Sequence, residues 1–157
     1  MSVISPDDRY EIEQLITRYS FTWDSADEEG FAGLFTEDAQ CRFYLNGSET
    51  PDSEIHGPDG FRKAVEVRAK YFKKIGLITK HFMPNTVITP MDPNTVKTRT
   101  QAMITWQLIG TDLQPRPVQA GYYNSHILRT DLGWKFASRE VFLNGVFRVK
   151  EVYADRG

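Results

Sequence analysis

Apolar residues first recur at helical spacing in this chain, with Ile12, Leu15, Ile16, Tyr19 and Trp23 forming one stripe of an amphipathic helix. Ser5, Pro6, Asp7 and Asp8 read as its start: a serine N-cap, a proline in the first turn and acids behind it. A second short helix is expected in "DEEGFAGLF", where Phe31, Leu34 and Phe35 share a face. "TEDA" then turns the chain into a strand, "QCRFYLNG", followed by a polar loop from Asn46 to Gly60. "GPDGFRKAVEVRAKYFKK" predicts a third helix with Phe61, Ala64, Val65 and Phe72 inward. From Leu77 the period changes to that of strands, over residues 79–90, 95–109, 118–130 and 134–147. "MDPN" and "TDLG" supply hairpin turns, and the proline-bearing "TDLQPRP" a looser connection.

Helices gathered at the front and a meander behind them define an α+β domain. The expectation is one domain over residues 1–157, a cone-shaped, curved, mostly antiparallel β-sheet wrapped around N-terminal helices. Such a cone has an interior, and ligand sites favour concave interiors. The opposite sheet face would carry Tyr122, His126, Leu128 and Trp106, an aromatic patch that favours self-association as a homodimer or homotrimer.

Composition narrows the function classes. A net charge of −2 leaves no basic footprint for nucleic acid. No apolar run approaches the ~20 residues needed to cross a bilayer. The N-terminus lacks both a charged n-region and an apolar h-region, so no secretory signal is expected, and a single cysteine, Cys41, fits a cytoplasmic protein. Cys41 reads more simply as a small buried strand residue than as a nucleophile. The three histidines, His56, His81 and His126, have no metal-ligand spacing, so neither a metal nor a cofactor is expected. No phosphate loop, nucleophile elbow or Cys-x-x-Cys pair is present.

Four positions could carry chemistry. Asp24 closes the first helical stripe, where the helix dipole disfavours an acid; it is either a solvated carboxylate or one with a specific partner. His81 shares strand parity with Met83 and Val87 and is either a core histidine or a proton-transfer group. Arg139, beside Ala137 and Val141, either reaches into the cone as an anion-binding group or extends to its rim. Tyr123, with Ser125 and Ile127, is either a core tyrosine or a phenol facing the cavity.

The order of elements, with "RYSFTWDSADEEGFAGLFTEDA", "TKHFMPNTVIT" and "GYYNSHILRTDLGWKFASREV", resembles the SnoaL-like branch of the nuclear transport factor 2 superfamily over nearly the whole chain. Within it, the site positions are similar to those of scytalone dehydratase and hexachlorocyclohexane dehydrochlorinase. That resemblance implies a cofactor-independent lyase or isomerase acting on a small hydrophobic molecule of polyketide, terpenoid or steroid type. It implies His81 as general base and Asp24 as its support, with Tyr44, Tyr123 and Arg139 binding or polarising a substrate oxygen. Tyr19 stands where the dehydrochlorinase has a catalytic lysine, and Trp23 where the dehydratase has a tyrosine, which turns both into substrate-wall residues and argues against either parent activity. The alternatives are a non-catalytic module binding a ligand or partner in the same cone, and the small subunit of an oxygenase.

Overall fold

The fold is that of a computed structural model describing residues 4–154. Its elements are α1 (Pro6–Asp24), α2 (Glu28–Ala32), β1 (Phe35–Leu45), β2 (Ser53–His56), α3 (Gly57–Ile75), β3 (Leu77–Phe82), β4 (Thr86–Asp92), β5 (Thr95–Leu108), β6 (Arg116–Thr130), β7 (Gly133–Gly145) and α4 (Val149–Val152).

Local chemistry explains the helix ends. Ser5 caps α1 in a reciprocal capping box with Asp8, and Pro6 opens the first turn. Ile12, Leu15, Ile16 and Tyr19 on its stripe are buried. Helix α3 stops at Gly76, which takes the left-handed conformation at φ 73° that lacks a Cβ penalty, and β3 begins at the next residue. That tight exit fixes where β3 starts relative to α1.

The seven strands form one curved, unclosed sheet in the order β2-β1-β7-β6-β5-β3, with β4 also pairing β5. All pairings are antiparallel except β1 with β7, which is parallel. A simple meander therefore does not describe the sheet; β1 returns beside the last strand. The helices cover its concave face. The narrow end is filled by aromatic rings: Phe35 stacks on Phe61 at 3.8 Å between centroids, and Phe31, Phe136 and Tyr19 pack around them.

Three expectations need correction. The strand placed over 79–90 is two strands, broken at Met83–Pro84–Asn85, because Pro84 has no N–H to donate to a ladder. β3 pairs with the C-terminal half of β5 and β4 with its N-terminal half. The break also resets the parity, so Val87 is exposed while His81 faces inward with Leu77 and Thr79. The loop from Asn46 to Gly60 contains β2, held on β1 from Gln40↔His56 to Phe43↔Ser53. Trp106 is buried on the inner face rather than the outer one, in step with Ile104 and Leu108.

Candidate active site

Asp24 ends α1 and His81 sits near the end of β3, 57 residues apart in sequence and in contact in space. The Asp24 carboxylate accepts twice from one residue. Its Oδ1 lies 2.7 Å from His81 Nδ1, and its Oδ2 accepts the His81 backbone N–H at 2.8 Å. Both side chains are nearly enclosed, at 7% and 10% exposure. A carboxylate can only accept, so Nδ1 carries a proton, and on the neutral ring the lone pair is then at Nε2. Removing a carboxylate from water costs several kcal/mol. Two charge-assisted bonds, at ~1.5–3 kcal/mol each, offset most of that. The second bond, to the backbone, also fixes the ring relative to the carboxylate, because it ties Asp24 to the strand that carries the imidazole.

A cavity of about 520 Å³ opens inside the cone. His81 is on its wall; Asp24 is behind the ring and off the wall. Tyr19, Trp23 and Tyr123 also line it, as do Phe43, Phe72, Ile104, Trp106 and Leu143, giving a largely apolar chamber. Its volume suits a ligand of two or three rings.

Arg68 on α3 is a wall residue that the sequence reading passed over. It follows Phe61 and Val65 and precedes Phe72 at helical spacing, so it belongs to the buried stripe. Its neighbours Lys63, Glu66 and Lys70 made the helix look solvated at that point. Its guanidinium lies 4.3 Å from the Trp23 ring centre and 5.1 Å from that of Phe72, and Nη2 donates to the Trp23 carbonyl. Burial lowers it to about 10, opposed by the nearby Asp24 charge, so it stays protonated at neutral pH.

Arg139 is fully buried but is not on the cavity wall. It lies beneath Tyr19 and Tyr123, with its guanidinium carbon 4.0 Å from the Tyr19 ring centre, 4.2 Å from Phe136 and 4.9 Å from Tyr123. None of its three guanidinium nitrogens has a hydrogen-bond partner among the described residues. It points inward because β7 carries a bulge at Ala137, which moves the inner face from Trp134 and Phe136 to Arg139, Val141 and Leu143. Burial raises both tyrosine hydroxyls above their ordinary range, and the Arg139 charge opposes that rise. Burial likewise pushes the Cys41 thiol up to about 12, which removes it as a nucleophile at neutral pH.

Tyr44 is not part of the site. Its ring stacks on Phe142 at 4.7 Å, and Phe142 stacks on Tyr122 at 5.0 Å, on the outer sheet face. The reason is strand parity: Phe43 and Leu45 line the cavity, so the residue between them points away. His56 is exposed beside Glu54, and His126 is on the outer face. Among the described residues no group of three or more His, Cys, Asp or Glu could hold a metal ion. No helix among them is long and apolar enough to cross a membrane.

Residues 5–140 match the SnoaL-like domain, and the chain belongs to that family. No curated protein matches the chain. Among solved structures, ActVI-ORFA from Streptomyces coelicolor superposes with a TM-score of 0.72 at 18% identity, over 91% of this chain and 100% of that one. The β subunit of a candidate aromatic-ring-hydroxylating dioxygenase from Novosphingobium aromaticivorans gives 0.72 at 15% identity, over 88% and 90%. A candidate scytalone dehydratase from the same organism gives 0.69 at 22% identity, over 89% and 85%. At these identities the likeness establishes the fold alone, described for other neighbours as cystatin-like.

Proposed function

We propose that this protein is a cofactor-independent lyase or isomerase that removes a carbon-bound proton from a small hydrophobic molecule, of polyketide, terpenoid or steroid type. His81 is the general base and Asp24 the residue that holds and supports it. One observation carries the reading: the carboxylate clasps both the ring Nδ1 and the backbone N–H of His81, with the imidazole on the cavity wall and the carboxylate behind it. The ring then takes the substrate proton at Nε2, and Asp24 stabilises the imidazolium that forms. Tyr19 and Tyr123 put phenols on the same wall, where either can donate to a carbonyl oxygen as charge develops on it. In an elimination the electron pair left on carbon expels a leaving group from the neighbouring carbon; in an isomerisation the proton returns elsewhere. The protein is further proposed to pair with a second copy through the outer sheet face that carries Tyr44, Tyr122 and Phe142.

The test is solvent-deuterium exchange at the C2 position of 1-tetralone and of its 6-carboxylate, followed by mass spectrometry. Enzyme-dependent exchange should fall by ~10²–10⁴-fold in His81→Ala, the range of general-base catalysis. Equal exchange in the two proteins would sink the reading.

A further inference from the structure

The cavity is apolar in area but one-sided in charge. None of its lining residues is Asp or Glu, while Arg68, Arg148 and Lys150 are all on the wall, in a chain whose net charge is −2. Arg148 and Lys150 are exposed at the mouth, and Arg68 lies inside. Arg68 forms no ion pair among the described residues, and its Nε is buried without a hydrogen-bond partner. The nearest acid in charge terms, Asp24, has both oxygens engaged by His81. A half-buried cation facing an apolar chamber, in ion-pair contact with no carboxylate of the protein, gains a direct partner when the ligand brings one.

Resting on the reading of this cavity as the substrate site, we infer that its substrate is a hydrophobic acid, a two- or three-ring molecule whose carboxylate pairs with the Arg68 guanidinium. The guanidinium already spends Nη2 on the Trp23 carbonyl and has its faces against Trp23 and Phe72, so what it offers is edge donors and one unit of charge. That matches a monoanionic carboxylate. A phosphate dianion would need a second cation beside Arg68 inside the cavity, and the other two stand exposed at the mouth. There they draw the anion in from solvent, a rate effect that salt screens. The two aromatic contacts hold the Arg68 side chain in place before the ligand arrives, which lowers the ordering cost of binding.

The experiment compares 2-naphthoate with the neutral 2-naphthylmethanol by calorimetric titration at low and moderate salt. Naphthoate should bind the wild-type protein at least about tenfold more tightly. Arg68→Met keeps the side-chain stem between Trp23 and Phe72 and removes the charge. It should cost naphthoate about 10–100-fold, the worth of a charged hydrogen bond, and leave the alcohol within about threefold. Retained alcohol binding shows that the cavity is intact. Should Arg68→Met fail to fold, the exposed pair Arg148→Gln and Lys150→Gln should slow naphthoate association and flatten its salt dependence, leaving the alcohol unaffected. Equal affinity for the two probes, no binding of naphthoate, equal losses for both in Arg68→Met, or unchanged association in the mouth variant would each overturn the inference. His81→Ala should keep the preference for the acid, so a failure of His81 as the base would show separately, in proton exchange alone.

Discussion

The guanidinium of Arg139 lies 4.0 Å from the ring centre of Tyr19, a buried cation face to face with a residue of the cavity wall. Its burial works against it: an enclosed ion loses several kcal/mol of hydration. Three aromatic contacts return about 0.5–2 kcal/mol each, so the balance is near zero. Arg139→Met, which fills a similar volume and still meets the rings, should therefore keep the urea midpoint within about 1 kcal/mol of wild type. Arg139→Lys should be worse than Met, because a compact ammonium is more strongly hydrated and cannot spread across three ring faces. A methionine variant that unfolds, with a lysine variant that does not, would show that charge at this position stabilises the fold.

Asp24→Asn replaces an acceptor that serves two donors. One of its two oxygens becomes an NH₂, which must face either the His81 backbone N–H or the ring Nδ1–H. Facing the backbone, it leaves a buried donor unmet at about 1–3 kcal/mol; facing the ring, it drives the neutral imidazole to the Nε2–H tautomer. In both cases the charge-assisted bonds are lost, which urea unfolding should show. Proton exchange should fall as well, since an amide supports the imidazolium poorly. In the double variant with His81→Ala the exchange losses should be far from additive, because the two side chains act as one unit. Additive losses would mean that they work independently.

Asp8 joins the first turn of α1 to the sheet, bonded to Arg129, to the Trp134 indole at 3.0 Å and to Ser5. These partners, Arg129 foremost, hold its carboxyl well below the usual carboxylate range. A folded value depressed below the unfolded one gives stability that is present above the unfolded pKa, near 4, and is lost as pH falls through the folded value. Wild type should exceed Asp8→Asn in urea stability at pH 7, and the gap should narrow as the pH drops below about 4. A gap that stays constant, or widens in acid, would remove Asp8 from this role.

How far the sequence carried can be read from particular residues. Asp24 and His81 were visible because each broke a local rule: an acid at a helix C-terminus and an ionisable ring on an inward strand face. Family resemblance then joined positions that no periodicity could connect. Arg68 was hidden by its charged neighbours, although its spacing from Phe61, Val65 and Phe72 puts it on the buried stripe. Tyr44 was misplaced despite a usable signal, since it stands three residues from the buried Cys41, and an odd spacing along a strand reverses the face. The bulge at Ala137 and the return of β1 beside β7 are set by long-range pairing, which has no local signature.

The outer face gives a prediction about assembly. Tyr44, Phe142 and Tyr122 stack in a row, Arg99 lies 4.0 Å over Tyr122, and Val87 and Met103 are 66% and 41% exposed on the same face. Sedimentation at micromolar concentration should show twice the 18.1 kDa chain mass. Val87→Glu with Met103→Glu should return the monomer at little cost to its stability, because both positions are open to solvent in the single chain. A wild-type protein that sediments only as the monomer would exclude pairing through this face.

The central claim, that Asp24 presents His81 with Nε2 free to take a proton, can be measured without any substrate. Long-range proton–nitrogen correlation spectra resolve the ring nitrogens of all three histidines, with His81→Gln identifying the relevant signals. On the neutral His81 ring the account predicts a protonated Nδ1 and an unprotonated Nε2, with Asp24→Asn disturbing that tautomer. A neutral ring protonated on Nε2 would contradict it, because the nitrogen facing the cavity would then have no lone pair to offer.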